Sequence, residues 1–484
     1  MASAPPEGGA GAAAAPALRI LEALAASGLR AIRYARELPG VGEVVACDLE
    51  KRAVEHMRRN VQHNAEGPGG EAMARVTPVQ SDARLVMLQN PKEFDVVDLD
   101  PYGTPSMFLD TAVQTVADGG LMCVTATDMA VLCGNSGEVS WTKYGSYALR
   151  GKYCHEMALR ILLASVEQHA VRHRRYIVPV LSVSIDFYVR VFVRVFSSAQ
   201  IMKETPSKLS YVWQCVNCDS FELQPVGRTM HKDRSVKYLP GSGPAVGAGG
   251  CEHCGGRFNM GGPVWNGPIH DAEWTQEILR EAQENPEAFP AHKKIQSIMT
   301  MVCEELPDAP LFMDLHQMSA TVKSTAVRSA DFRSALVNAG YRVSSSHCNP
   351  NGVKTDAPLA LLWDVMRAWV ELHPVKKQDE GSTAHKILQK KPTTEIDFTR
   401  AHKALSKAKE KSIPRFLPNP EPNWGPKAKA GRYLPGRKQQ KRPAEGGPEG
   451  EKAAKSSGGG GTAAPSAGVE QPAAPNGGDG EAQA

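Results

Sequence analysis

In the stretch Phe94-Asp95-Val96-Val97-Asp98-Leu99-Asp100-Pro101-Tyr102-Gly103 an apolar run ends in an acid, then a proline, then an aromatic. Strand ends in open α/β sheets are where ligands bind. Placed there, the Asp100 carboxylate and a backbone carbonyl near Pro101 offer two hydrogen-bond acceptors to the exocyclic amine of a planar base. The Tyr102 ring is positioned to stack on that base. This layout suits methylation of an amino nitrogen such as guanine N2, a weak nucleophile because its lone pair is delocalised into the ring. Two acceptors on its hydrogens favour a pyramidal nitrogen with its lone pair aimed at a methyl donor. The reaction would be a direct in-line displacement, with positioning supplying much of the acceleration. Asp98 is the second candidate acid, although alternation with Asp100 also allows it to face a helix N-terminus. Pro101 and Gly103 equally fit an ordinary type I turn.

A methyl donor needs its own site, and the residues upstream have the types for one. The tight turn Ala25-Ala26-Ser27-Gly28 follows an apolar run, and its small residues let a ligand approach the backbone. Asp48 closes the next apolar run about twenty residues later, the spacing at which a carboxylate takes ribose hydroxyls. There is no G-x-G-x-x-G loop for a pyrophosphate, which S-adenosylmethionine does not need. Asp82, in Ser81-Asp82-Ala83-Arg84, falls where an adenine amino group would be bound, and is equally a natural helix N-cap. The planar guanidinium of Arg30 suits the methionine carboxylate.

Ten cysteines are present, four of them as two C-x-x-C pairs: Cys215 with Cys218, and Cys251 with Cys254. Such knuckles supply four thiolates to a tetrahedral zinc, with His253 as a possible substitute for one. The insert between the pairs is longer than usual for a zinc ribbon. No base or open position accompanies them, so the site reads as structural. The other six cysteines look like scattered free thiols, which fits a reducing compartment. Between Arg400 and Arg442 Lys and Arg far outnumber acids, with Phe416, Trp424 and Tyr433 interleaved. That mixture suits contact with phosphates and unpaired bases, or serves as a solvated linker. Arg437-Lys438-Gln439-Gln440-Lys441-Arg442 also has the composition of a nuclear localisation signal.

These residues require a scaffold of alternating strands and helices. Strands are expected over Arg19–Leu24, Glu43–Asp48, Arg75–Val79, Phe94–Asp100 and Gly120–Thr125. Helices are expected over Gly28–Glu37, capped by Ser27, over Lys51–Asn64 and over Tyr144–Gln168. Such alternation implies a parallel, doubly wound α/β sheet. A strand over Arg175–Val183 and an alternating one over Asp186–Phe196 would follow, the latter with Phe187, Val189, Val191, Val193 and Val195 on one face and Arg190 and Arg194 on the other. The 484 residues divide into a disordered 1–17, a catalytic domain over 18–198, a second domain with the cysteine insert over 199–375, a basic tail over 376–442 and a low-complexity, disordered 443–484. The formal charge of +4 is too small to decide on a nucleic-acid partner. No apolar run reaches the roughly eighteen residues of a membrane span, and the Ala-rich N-terminus is a poor signal peptide.

The stretches LEALAASGLRAIRYARE, SDAR, FDVVDLDPYGTPSMFLDTAVQ, VTATDMAVLCGNSGE, DFYVRVFVRVF, the CVNC and CEHCGG pairs, GGPVWNGPIH, VKTDAPLALLWDVMR and PNPEPNWGP together resemble the eukaryotic tRNA guanosine-26 N2-dimethyltransferase family, over about residues 18–425. The resemblance implies a Rossmann-like S-adenosylmethionine-dependent methyltransferase sheet with a C-terminal α+β domain holding structural zinc. It implies transfer of one, then two, methyl groups to guanosine 26 of tRNA, with tRNA as partner; the expected location is the nucleus, with the cytoplasm as the alternative. Arg30, Asp48, Asp82 and Ala83 fall on the family's donor site. Asp100, Pro101 and Tyr102 fall on its catalytic turn, and Cys215, Cys218, Cys251 and Cys254 on its zinc site. Family members also carry, before the first strand, an Asn-Arg-Asp element that closes over the donor. Here Ala-rich sequence runs directly into Leu18, so a catalytically impaired tRNA-binding form is the alternative. A mitochondrial form would need a different N-terminus.

Overall fold

Five short apolar runs become parallel strands: β1 (Leu18–Glu22), β2 (Val41–Asp48), β3 (Val76–Gln80), β4 (Phe94–Leu99) and β5 (Val116–Ala126). Helices α1 (Leu29–Glu37), α2 (Lys51–Ala65), α3 (Ala83–Gln89) and α4 (Leu109–Thr115) make the crossovers. With β6 (Arg175–Ile185) and β7 (Tyr188–Ser197), the sheet runs β3-β2-β1-β4-β5-β7-β6, and β7 is antiparallel to both neighbours. Neighbouring residues bury on opposite faces, as a sheet covered on both sides requires. Ile20 and Val44 pack with Ala31, Ile32 and Met57 on one face, while Leu21 and Val45 pack with Met87 and Val97 on the other. The computed structural model describes residues 17–417 except 234, 405 and 407–411. The expectations placed on 1–16, on Trp424 and Tyr433, on the Arg437–Arg442 run and on 443–484 lie outside the described residues.

Three sequence expectations change. The helix expected over Tyr144–Gln168 starts only at Cys154: α6 (Gly137–Tyr144), after the short α5 (Met129–Leu132), ends where it was to begin, and α7 (Cys154–Arg172) forms the rest. Gly145 ends α6 in the left-handed region, at φ 65°, where its lack of Cβ removes the strain. Tyr147 then exchanges backbone hydrogen bonds of 2.9 and 2.8 Å with Gly262, a partner that no local pattern reveals. Ser27 does not cap α1. Gly28 occupies that position at φ 73°, and a Cβ there would stand 2.5 Å from Met57 Cγ. Phe187 belongs to the turn before β7, half exposed, while Val189, Val191, Val193 and Val195 are fully buried.

The chain continues through β8 (Leu209–Cys215), β9 (Phe221–Pro225), the hairpin β10 (Gly227–Lys232) and β11 (Ser235–Pro240), and β12 (Phe258–Trp265). β12, β8 and β9 form one sheet; β13 (Met313–Asp314), β14 (Val343–Ser346) and β15 (Asn349–Thr355) form another among helices. Phe332, Leu336, Trp363 and Met366 centre this second core.

Two buried polar clusters join it to the first sheet. Lys354 on β15 reaches Glu156 on α7 at 2.6 and 2.7 Å, and Arg160 reaches the same carboxylate at 2.9 Å. The Leu311 amide donates to it as well, at 2.8 Å. At the outer edge of β6, Ser182 N–H donates to His270 Nδ1 (3.3 Å) and Ser184 N–H to His347 Nε2 (3.2 Å). The Val180 carbonyl accepts from the Asp271 amide at 3.0 Å. His347 Nδ1 faces Glu305 at 2.7 Å. His270, Glu305 and His347 have the residue types of a metal centre. The backbone donors, however, engage one lone pair on each imidazole, so the cluster acts as a clasp that satisfies edge-strand amides.

Candidate active site

The chain order reverses between β1 and β4, the switch point at which open α/β sheets bind ligands. Register brings the acids there. Glu22 pairs with Ala46 on β2 and with Asp98 on β4. Asp48 and Asp100 each lie two residues beyond that row, and Asp82 follows β3, whose Gln80 pairs with Asp48. The sequence-predicted donor and catalytic residues therefore fall along one carboxyl edge.

Each has a structural partner as well. Asp48 ties the loop after β1 to the end of β2: its oxygens accept from the Ala26 and Glu50 amides, both at 2.9 Å. A carboxylate has about four lone-pair sites, which leaves acceptors free for a ligand. Asp82 is the N-cap of α3, accepting from the Arg84 amide at 2.9 Å and pairing with its guanidinium at 2.6 Å. Ala83 is buried at the first position of that helix. Beyond Asp100, Pro101 is buried and Tyr102 is fully exposed. Reciprocal bonds hold this segment to the end of β5: Gly103 N–H to Thr127 Oγ1 at 2.8 Å, and Thr127 N–H to the Gly103 carbonyl at 2.9 Å. These bonds hold the segment, and Gly103 takes φ 86°. Tyr102 is left free of the fold.

Sequence reasoning missed the network behind these acids. Asp98, fully buried, does not face a helix N-terminus. It accepts from Arg190 Nη2 at 2.8 Å and Tyr34 OH at 2.6 Å, and lies 3.5 Å from Arg30 Nη1. The other Arg30 nitrogen bonds the Asp100 carboxylate. Arg190 Nη1 donates to Thr125 at 2.6 Å. Burial works against the Arg190 charge, but the Asp98 carboxylate outweighs it and raises its pKa. Burial pushes the Glu22 carboxyl up to about 8, with Asp98 adding to the rise and the Ala31 amide opposing it. The site thus sets the Asp98 and Asp100 side chains against two guanidiniums, Arg30 and Arg190, with Glu22 beside them largely protonated near neutral pH. The sequence signal for this was limited to Arg190 and Arg194 on the face of β7 opposite its buried valines, which marks a polar face without naming a partner.

The four cysteines of the two C-x-x-C pairs converge. Cys215 and Cys254 sulfurs lie 3.4 Å apart, Cys218 and Cys251 sulfurs 3.7 Å apart, and all four are buried. A tetrahedral zinc with bonds of about 2.3 Å separates its sulfurs by roughly 3.8 Å, so this cluster fits one. His253 stands outside it, its ring 6.4 Å from that of Trp363, and is not a fourth ligand.

The chain matches a family described as N2,N2-dimethylguanosine tRNA methyltransferase over residues 9–367. It belongs to that family. It is 58% identical to tRNA (guanine(26)-N(2))-dimethyltransferase 1 of Arabidopsis thaliana, over 86% of this chain and 69% of the relative. It is 48% identical to the mouse tRNA (guanine(26)-N(2))-dimethyltransferase, over 85% of this chain and 62% of that one. Among solved structures it resembles Trm1 from Pyrococcus horikoshii in complex with S-adenosyl-L-methionine. That match has a TM-score of 0.61 and 31% identity, covering 72% of this chain and 88% of the other. The fold is therefore shared with a protein solved in complex with S-adenosyl-L-methionine.

Proposed function

We propose that this protein transfers one, then two, methyl groups from S-adenosyl-L-methionine to the N2 amine of guanosine 26 in tRNA. The observation that carries the reading is the Asp100-Pro101-Tyr102 segment at the end of β4, beside the switch point, with Asp48 and Asp82 ending the neighbouring strands. Family membership supports the same reaction, and favours the active form over the impaired one.

Arg30, Asp48, Asp82 and Ala83 are assigned to the donor: Arg30 to its carboxylate, Asp48 to its ribose, and Asp82 and Ala83 to its adenine. When bound, S-adenosyl-L-methionine supplies an electrophilic methyl group on a sulfonium. Asp100 and the backbone carbonyl near Pro101 accept hydrogen bonds from the amine and hold its lone pair in line. Transfer to this amine would form the N–C bond as the donor's S–C bond breaks and leaves a neutral thioether, and the positively charged nitrogen would then lose its proton to water. The Asp100 carboxylate stabilises that developing charge. Tyr102, exposed and unrestrained, is available to stack on the guanine. A stacked guanine could not reach this edge, so the base is taken out of its stack first.

Residues 18–198 are read as the catalytic domain and 199–375 as a second domain built on structural zinc at Cys215, Cys218, Cys251 and Cys254. The basic tail is read as a tRNA contact, and the Arg437–Arg442 run as a nuclear address. Among the described residues no helix is long and apolar enough to cross a membrane. The test is methyl transfer from labelled donor to an unmodified transcript with guanosine at position 26, beside one with adenosine there. Label in the guanosine transcript alone is expected. Equal label in both, or none in either, overturns the reading.

A further inference from the structure

Arg30 sits between two chemistries. It is assigned to the donor's carboxylate, yet its guanidinium is bonded to Asp100, the group assigned to the target amine. Among the described residues Arg30 is the hydrogen-bond partner that the Asp100 carboxylate has. Asp98 does not need it: Arg190 and Tyr34 already serve that buried carboxylate at 2.8 and 2.6 Å, while Arg30 stands off at 3.5 Å. The Arg30 and Asp100 side chains are 39% and 31% exposed. An ion pair open to solvent to that degree is weak, and a guanidinium fork accepts a new carboxylate readily. One cation thus has two competing carboxylates, one in the protein and one on the donor, and the chain holds no second arginine on Asp100 among the described residues.

We propose that Arg30 is a positioning residue that closes the Asp100 carboxylate to the target amine until the donor's carboxylate draws the guanidinium away. Donor binding then readies the base site, and recognition of the guanine N2 amine depends on it. Asp98 and Arg190 stay fixed through the exchange, because both are buried and mutually paired. Asp98 and Glu22 lie beside the guanidinium on the side away from Asp100 and give it a second electrostatic anchor. The inference rests on the function proposed above and adds an order: donor first, guanosine second.

The test reads binding, not turnover. Transcripts carry guanosine or inosine at position 26; inosine lacks the N2 amine and is otherwise alike. Dissociation constants are measured with no ligand, with S-adenosylhomocysteine, and with methylthioadenosine, which keeps the adenosine but lacks the amino-acid carboxylate. S-adenosylhomocysteine is expected to raise the preference for guanosine over inosine by about five-fold or more, the usual floor of site-to-site coupling. Methylthioadenosine is expected to leave it unchanged. By reciprocity S-adenosylhomocysteine should bind the guanosine-transcript complex more tightly than the inosine-transcript complex by the same factor. In Arg30→Gln the preference should be high without ligand, and S-adenosylhomocysteine should add nothing. A preference that ignores S-adenosylhomocysteine, or that rises equally with methylthioadenosine, overturns the proposal. The two wild-type ligand arms decide it even if Arg30→Gln does not fold. Wild-type protein that methylates guanosine 26 without this coupling removes the gate alone, whereas absence of methylation removes the underlying function.

Discussion

Two carboxylates in this molecule each face a pair of cations, and they are used differently. Glu156 is held by Lys354 and Arg160, all three at most 1% exposed. Burial pushes the Glu156 pKa up, but the two cations overcome it and keep the carboxylate charged. Every member of that set is sealed between the first sheet and the helices and strands of the second core. Asp98 is as deeply buried, but its second cation is Arg30, which leads outward to the exposed edge and to Asp100. A closed network fixes one geometry. A network with an open end can pass its charge to something that arrives. On the function proposed above, the difference assigns structural work to Glu156 and chemistry to Asp100.

Perturbing the sealed regions should cost the most stability. The Cys215, Cys218, Cys251 and Cys254 cluster is sealed like Glu156, and structural zinc contributes folding energy outright. Chelation is therefore expected to destabilise residues 200–265, read by hydrogen exchange, and protein purified without chelator should carry about one zinc per chain. Zinc content near zero would contradict this. Lys354→Ala should follow, since removing one partner from a buried pair costs about 3–5 kcal/mol. Denaturant unfolding measures it, and a loss under about 1 kcal/mol would place Glu156 in contact with water.

The smallest effect belongs to Glu22. Its folded pKa, about 8, lies above the ordinary carboxyl value, so the stability it contributes is complete at acid pH and is lost as pH rises towards and through about 8. A decline of about 3.5 kcal/mol between pH 5 and 8 is expected from this group, and Glu22→Gln should flatten that part of the profile. An unchanged slope in the variant would assign the decline to another group.

The sheet and the positions of its acids were readable because short apolar runs bounded by turn residues specify buried parallel strands. Asp48, Asp82 and Asp100 were readable because each directly follows such a run. The cysteine cluster was readable from its two short spacings, although the choice between His253 and a thiolate needed the geometry. What the residues could not disclose depends on partners distant in the chain. The break after Tyr144 needs Gly262, Asp98 needs Arg190 and Tyr34, and the edge of β6 needs His270 and His347. Nothing in the local sequence of either partner marks these pairings. Glu22 lies inside the first expected strand with nothing to mark it, and only its burial beside Asp98 makes it a group that titrates near neutral pH.

The central claim is that the open end of the Asp98 network does the chemistry, through Asp100. The most direct measurement is single-turnover methyl transfer to the guanosine-26 transcript by wild-type protein and Asp100→Asn, with tRNA affinity and thermal stability read on the same samples. Asn keeps the shape and removes the charge. Transfer is expected to fall by about 10²–10³-fold, with affinity and stability close to wild type because the side chain is 31% exposed and outside the sealed core. Transfer at the wild-type rate would contradict the account.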